Sequence, residues 1–432
     1  MNMNVLDTPF EELQQYYDTV LNVDRSTYLS TNDECTPLDC VREMLTKVPE
    51  ELWKRDNLRI LDPCCGHGNF GIVLYDILCR GHGWDPDTVL ESVLSFNDVQ
   101  TARLDTVRRV FRDDIYPLQI TESDFLTTTY DNTFDLVVAN PPYAKILENG
   151  ARASKNHNLI QAFLDKALSI LRPNGYLVFI TPDNWMSWAD RNVLIEVLTR
   201  LQIVHLDIHR AKRYFKRVGS SFTWYVIQNC AAYQDISVAG IWKNREYTSQ
   251  IPPQPRRYIP LLFSKVVQDI LNKTIDNENL DKFEVETSSD LHRYTKRAFI
   301  RDEPDEDHTY RLIHTPKQTA WASRPHKYQE GWKVFLSTTD KYKVWVDDCG
   351  MTQSIAFIRC ASEAEAKKIQ WILEHPVYVF INNLCRWGNF NNVRVMQHFP
   401  IPLLIHSYDA IYSSFKLTRD EIAYMSMWGV KV

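Results

Sequence analysis

Long apolar runs are missing from this chain of 432 residues. None approaches the roughly 18 residues that a membrane helix needs, so no membrane-embedded segment is expected. The opening stretch, MNMNVLDTPFEELQQYY, has acids early and no apolar core, which speaks against a secretory signal. Paired cysteines are missing too. The nine cysteines are scattered, an odd count without CxxC spacing, which argues for a reducing compartment and against a disulfide scaffold. No His/Cys cluster has zinc spacing, so no metal is expected. There is no internal repeat and no low-complexity tract. These absences together suit an intracellular, cytoplasmic protein.

What is present is ample apolar material. Hydrophobic residues make up 44% of the chain, enough for a large core, and the length suggests two domains. The net charge is −6, but it is unevenly spread. Residues 1–144 hold 11 Lys and Arg against 25 Asp and Glu, and residues 145–432 hold 38 against 30. The second part therefore suits a polyanionic partner, although an acidic helical surface on the first part explains the split equally well.

Apolar runs and helical patterns alternate up to about residue 230. LRIL (58–61), VLSF (93–96), FDLVVA (134–139), YLVFI (176–180), IVHLDI (203–208) and FTWYVIQ (222–228) read as strands. FGIVLYDILCR (70–80), VQTARLDTVRRVF (99–111) and NLIQAFLDKALSILR (158–172) read as helices, the last closed by Pro173-Asn174-Gly175. Strand–helix alternation with fully apolar strands predicts an α/β fold, a mainly parallel sheet covered on both faces. The proline-rich stretch SQIPPQPRRYIP (249–260) reads as a linker. The expected division is a domain over 1–248, a linker over 249–260 and a second domain over 261–432, with mixed α and β patterns.

In a doubly wound sheet, ligands bind beyond the carboxyl ends of the strands. Two such ends carry motifs. The first is ILDPCCGHGNF (60–70), where Gly66-x-Gly68 opens a helix and the glycines permit close backbone approach. With Gly71 it also matches the dinucleotide fingerprint, so NAD must be considered. The second is LVVANPPYAKI (136–146), where a buried strand stops on Asn140-Pro141-Pro142-Tyr143. No hydride chemistry calls for it. An amino group on a planar base is a poor nucleophile, because its lone pair is delocalised into the ring. Two acceptors on its protons favour the pyramidal nitrogen, and an Asn oxygen with the following carbonyl supplies them. The proline pair keeps that carbonyl aimed. Tyr143 offers a stacking face worth roughly 1–3 kcal/mol per base.

With these residues in place, the sequence resembles the adenine-N6 DNA methyltransferases in the Taq-type motif order, with the cofactor motif before the catalytic one. The resemblance covers about residues 30–230. TPLDCV (36–41), LDPCCGHGNF, SDFL with Asp124, and HNLIQAFLDKALSILRPNGYLVFITPDNW each match a family segment. It implies a Rossmann-like S-adenosylmethionine methyltransferase domain followed by a C-terminal α+β recognition domain. S-adenosyl-L-methionine would lie across Thr36, Pro37, Asp62, Cys64, Gly66 and Gly68. Asp98, with Asn97 as the neighbouring register, would hold the ribose, and Asp124 with Phe125 the adenine. A flipped adenine of double-stranded DNA would stack between Tyr143 and Phe215, with Tyr214 the rival of Phe215. Lys212, Arg213, Lys216 and Arg217 would contact phosphates. Arg386, Asn389, Asn391, Asn392 and Arg394 would read base edges. A separate cognate restriction endonuclease is the implied partner.

Blander readings stand beside these. NPPY could be a strand-ending turn, Asp62, Asp98 and Asp124 caps or turn acids, and 209–217 a solvated basic face. Pro63-Cys64 invites a cytosine-C5 nucleophile, but it lies inside the cofactor loop, so Cys64 and Cys65 are expected to pack. The C-terminal tryptophans are expected in the core. Glu365-Ala366-Lys367 has a nuclease form, but no Pro-Asp stands at a suitable distance. Protein glutamine methyltransferases share NPPY, and a DNA-recognition subunit with an inactive methylase domain is the non-enzymatic alternative.

Overall fold

The computed structural model describes all residues except 1–2, 25, 27–33, 132–133, 144–158, 191, 216–218, 220, 389 and 430–432. The chain forms two compact units. The first comprises Met1–Trp185 with Asn192–Arg256, and the second Met186–Arg191 with Arg257–Val432.

The first unit is built on one nine-stranded sheet. Its strands are β1 (Ile60–Asp62), β2 (Leu94–Asp98), β3 (Gln119–Glu122), β4 (Phe134–Ala139), β5 (Leu171–Pro182), β6 (Leu201–Ile208), β7 (Phe222–Ala231), β8 (Ile236–Trp242) and β9 (Arg245–Ile251). The spatial order is β3-β2-β1-β4-β5-β7-β6-β8-β9. Strands β1 to β5 are mutually parallel, and β7 runs antiparallel to both β5 and β6. Every residue of β4 is buried, as a strand covered on both faces requires. Helices Leu38–Leu45, Asn69–Tyr75, Thr101–Phe111 and Leu159–Ile170 cover the sheet with apolar stripes. Thr101–Phe111 stops where Arg112 turns left-handed at φ 66°, its successor Asp113 donating back to the Arg108 carbonyl.

The strand–helix alternation is broken between β3 and β4, which no helix separates among the described residues, resumes with Leu159–Ile170 and Val193–Leu198 on either side of β5, and ends at β6. The sheet is mainly parallel, as expected, with antiparallel pairs where β7 meets β5 and β6 and where β9 meets β8. The β8–β9 hairpin, absent from the expectation, runs to Ile251, so the start of the supposed linker is sheet. The first domain is also interrupted. Residues around Trp188 pack in the second unit, where the indole stacks on Tyr258 at 4.8 Å and its carbonyl accepts from Asn392 Nδ2 at 2.9 Å.

The second unit holds two four-stranded sheets and several helices. One sheet contains Lys333–Ser337 between Ile355–Arg359 and Val344–Asp347; the other centres on the hairpin Tyr310–Thr315 and Gln318–Ala322. It is α+β in content. Helix Glu363–Leu373 contains the Glu365-Ala366-Lys367 pattern. There Glu365 accepts from the Ala361 N–H at 2.7 Å and Lys367 pairs with Glu363, so both side chains serve the helix.

Candidate active site

The carboxyl ends of β1, β2 and β4 converge on one cavity of about 600 Å³ in the first unit. After β1 the chain turns through a loop in which Gly66 (φ +54°) and Gly68 (φ +87°) take left-handed conformations that disfavour other residues. Gly66 N donates to Asp98 Oδ2 and Gln100 N to Asp98 Oδ1, both at 2.9 Å, so the acid at the end of β2 braces the glycine loop. Asn97 is spent on the Pro63 and Ser123 carbonyls at 2.9 and 3.1 Å. Of the two registers, it is Asp98 whose carboxylate faces the loop.

At the end of β4, Asn140 Nδ2 donates to the Glu34 carbonyl at 2.9 Å. That bond fixes which way the amide points. The tied end is the amino group, and the oxygen is left as the acceptor. The Tyr143 hydroxyl donates to this Oδ1, and the Cys64 thiol donates to the Asn140 backbone carbonyl at 3.6 Å. Across the cavity, Phe215 packs on Phe222 with ring centres 5.0 Å apart, and Tyr143 lies 6.1 Å from Phe222. Tyr214, the rival, points its hydroxyl at Glu43 and does not line the cavity.

Of the residues named from the sequence, Thr36, Cys64, Gly66, Asp98, Asp124, Phe125, Asn140, Pro141, Pro142, Tyr143 and Phe215 line this cavity. Pro37, Asp62 and Gly68 stand behind the lining. Pro37 caps the helix Leu38–Leu45 and Gly68 the helix Asn69–Tyr75. Asp124 is exposed and accepts from the Leu126 N–H at 2.9 Å; Phe125 is buried against Phe163. Sequence reasoning missed Glu34, Arg103 and Phe222 in the wall.

Burial pushes the Asp62 carboxyl well above the usual carboxylate range; the Cys64 N–H pulls it down and the Asp98 charge pushes it up. Its Oδ2 and the Thr36 hydroxyl are buried with no hydrogen-bond partner among the described residues. Asp98 and Asp124 on the wall of this half-enclosed, mainly apolar space, with the buried Thr36 hydroxyl beside them, suit a cationic ligand with a sugar and a flat base. Among the described residues no group of three or more His, Cys, Asp or Glu could hold a metal ion, and no helix is long and apolar enough to cross a membrane.

The DNA-contact expectations fare unevenly. Lys216, Arg217 and Asn389 lie outside the described residues. Lys212 and Arg386 are half-buried. Arg213 is exposed and pairs with Glu43 at 2.6 Å and Glu246 at 3.7 Å, two carboxylates that it shares with Arg210. Asn391 is buried, donating to the Ser337 carbonyl at 2.8 Å and accepting from Asn382 at 3.0 Å, so it bridges a strand and a helix and is shielded from base edges. Asn392 caps the helix Val393–Met396, and Arg394 pairs with Asp190. Both are engaged within their own unit.

The strand order, with β7 reversed, and the glycine loop after β1 define a class: the Rossmann-like, class I S-adenosylmethionine-dependent methyltransferase fold. Residues 96–211 match the family model described as Eco57I restriction-modification methylase. The chain is 26% identical over 187 residues to the Type II methyltransferase M.VspI of Vibrio sp. (strain 343), covering 40% of this chain and 42% of that protein. It is 27% identical over 157 residues to the Type II methyltransferase M.XhoI of Xanthomonas vasicola, covering 29% of each. The aligned parts thus span less than half the length of these relatives. Among solved structures, a nuclease-deletion mutant of the Type ISP restriction-modification enzyme LlaGI, in complex with a DNA substrate mimic, matches 94% of this chain and 56% of its own with a TM-score of 0.55 at 12% identity. The Type IIL restriction-modification enzyme MmeI in complex with DNA matches 97% and 72% with a TM-score of 0.54 at 9% identity.

Proposed function

We propose that the chain is a site-specific DNA adenine-N6 methyltransferase that methylates a flipped-out adenine in double-stranded DNA. The observation that carries this reading is the orientation of Asn140. Its amino end is tied to the Glu34 carbonyl, so its oxygen is the acceptor presented on the cavity that the Gly66 loop and Asp98 line. S-adenosyl-L-methionine, when bound, supplies an electrophilic methyl group. Thr36, Asp62, Gly66 and Asp98 would hold it, and Asp124 and Phe125 would flank its base. The Asn140 oxygen has two lone pairs, so it can accept from an exocyclic amine beside the Tyr143 hydroxyl. With the Pro141 carbonyl it would hold both amine protons, which localises the nitrogen lone pair for attack on the methyl carbon; the carbon–sulfur bond would break as the nitrogen–carbon bond forms, leaving a neutral thioether, and the nitrogen would give up one proton to water. The aromatic group of Tyr143, Phe215 and Phe222 gives an extruded base a stacking surface that offsets a few kcal/mol of unstacking. DNA as the substrate is supported by the restriction-modification relatives, two of whose similar structures hold DNA or its mimic. On this reading the chain acts on cellular DNA beside a separate endonuclease for the same sequence. No observation favours a glutamine side chain as the substrate.

The test is methylation of unmodified genomic DNA by the purified protein with S-adenosylmethionine, read by mass spectrometry of nucleosides. N6-methyladenine should accumulate with wild type. Asn140→Ala should lose nearly all turnover while retaining cofactor binding. Label appearing in cytosine or in protein, or full activity of the variant, would overturn the assignment.

A further inference from the structure

We propose that Glu43 is a positioning residue for this reaction, holding Phe215 in place from outside the cavity. The inference rests on the function proposed above. Glu43 lies on the helix Leu38–Leu45, which starts directly after Thr36 and Pro37 on the cofactor side. Its side chain does not line the cavity. Its carboxylate instead gathers three donors from one short segment of chain. Arg210 Nη2 lies 3.1 Å from Oε1, and Arg213 Nη2 and the Tyr214 hydroxyl donate to Oε2 at 2.6 and 2.9 Å. Arg210 to Arg213 form a single 3₁₀ turn. Its backbone carries on into the next two residues, Tyr214 N donating to the Ala211 carbonyl at 2.9 Å and Phe215 N to the Lys212 carbonyl at 3.2 Å. Phe215 is therefore the next residue along a turn whose side chains are clamped at three points.

The clamp is one carboxylate deep. Asp207 also engages Arg210, accepting from its N–H at 3.1 Å and its Nη1 at 3.2 Å, and Glu246 stands 3.7–3.8 Å from both arginines. Neither reaches Tyr214 or the helix Leu38–Leu45 in any hydrogen bond or ion pair found among the described residues. Among the described residues, the hydrogen bonds and ion pairs found between the helix behind Thr36 and the turn that ends in Phe215 all run through Glu43. Phe215 in turn touches Phe222, and Phe222 neighbours Tyr143. Glu43 thus fixes the far wall of the aromatic surface relative to the cofactor-side wall.

If Glu43 acts through Phe215, removing both should cost no more than removing Phe215. A double-mutant cycle reads this directly. Methylation of unmodified genomic DNA is measured for wild type, Glu43→Ala, Phe215→Ala and the double variant, with the cofactor dissociation constant measured for each. Glu43→Ala should lower kcat/KM for DNA about tenfold in the wild-type background and less than about twofold in the Phe215→Ala background, with cofactor affinity unchanged. Glu43→Gln, which keeps the acceptor oxygen and the shape, should recover part of the loss. Tyr214→Phe removes a single hydroxyl and makes the same comparison should Glu43→Ala not fold; its smaller loss should vanish in the Phe215→Ala background too. Equal losses in both backgrounds, or a loss of cofactor affinity that parallels the loss of rate, would overturn the proposal and leave Glu43 as a stabiliser of the fold. A wild-type protein without methylation activity would instead overturn the functional reading itself.

Discussion

Three glycines stand close together in the loop and helix after β1, and the structure assigns each its own reason to be glycine. Gly66 has φ +54° and open space around it, the nearest atom to an added Cβ being Arg103 Nη1 at 3.9 Å. Gly71 lies in a helix with ordinary dihedrals, but an added Cβ would stand 2.5 Å from the Phe96 ring and 2.8 Å from the Phe111 ring. Gly68 has both problems, φ +87° and a Cβ 2.8 Å from Phe111. Left-handed geometry costs an L-residue about 1–2 kcal/mol, and overpacking a core about 1–3 kcal/mol. Alanine returns about 0.4–1 kcal/mol by restricting the unfolded chain, and its helix preference favours it at Gly71 as well. Gly66→Ala should therefore lose roughly 1 kcal/mol, Gly71→Ala roughly 1–2, and Gly68→Ala roughly 2–4. Phe96 and Phe111 are both buried with ring centres 4.8 Å apart, so neither can swing clear cheaply. The assay is urea unfolding combined with hydrogen exchange in the peptides of β1, β2 and β4, which reports the first unit alone. A Gly68→Ala protein as stable as Gly66→Ala would refute the reasoning, because it would mean that Phe111 does not press on this loop.

Two further outcomes follow from buried polar groups. Burial lowers the His205 pKa from 6.5 to about 3, with the Lys47 and Arg210 charges adding to the shift. The folded state then holds fewer protons than the unfolded one between about pH 3 and 6.5, so its stabilising effect is full above pH 6.5 and is lost as pH falls through that window. By pH 5 the loss should be about 2 kcal/mol, and His205→Gln should flatten that acid slope in urea unfolding; an unchanged slope would sink the argument. Asn391→Ala should cost about 1–3 kcal/mol of stability, by orphaning the Asn382 amide and a Ser337 bond, while sequence discrimination on DNA stays the same. Loss of discrimination at full stability would restore Asn391 to base reading.

Much of the first unit's sheet could be read in advance because its strands obey one rule. FDLVVA is β4 to the residue, and LRIL, VLSF, YLVFI, IVHLDI and FTWYVIQ each overlap a strand. Strands buried on both faces leave an unbroken apolar signal. Strand β3 was invisible because three of its four residues are exposed and it carries no apolar run. Strand β9 of the β8–β9 hairpin leaves no apolar run, because most of its residues are exposed. The short interruption at Met186–Arg191 leaves no signal at all: its membership is decided by what Trp188 stacks on, and Tyr258 and His398 lie 70 and 210 residues away in sequence.

The site divides along the same line. Residues at the carboxyl ends of parallel strands could be found, because in such sheets that edge is where ligands bind and the strand's end is marked by a motif. Phe222 could not, although it stands between Phe215 and Tyr143. It is the first residue of β7, the amino end of a strand, where no ligand is expected. Strand direction reverses that expectation: Phe222 pairs with Pro182 at the carboxyl end of β5, because β7 runs the other way. An apolar run looks the same read up or down a sheet, so its direction is not written in its pattern. The second unit shows the complementary failure. Asn391, Asn392 and Arg394 have the donors and acceptors that suit base edges. Those same groups suit a buried strand–helix bridge, a helix cap and an ion pair with Asp190. Hydrogen-bonding capacity is a property of the residue, whereas availability is a property of its neighbours. A base-reading surface must therefore be sought among polar side chains that the fold leaves unspent, and these three are spent.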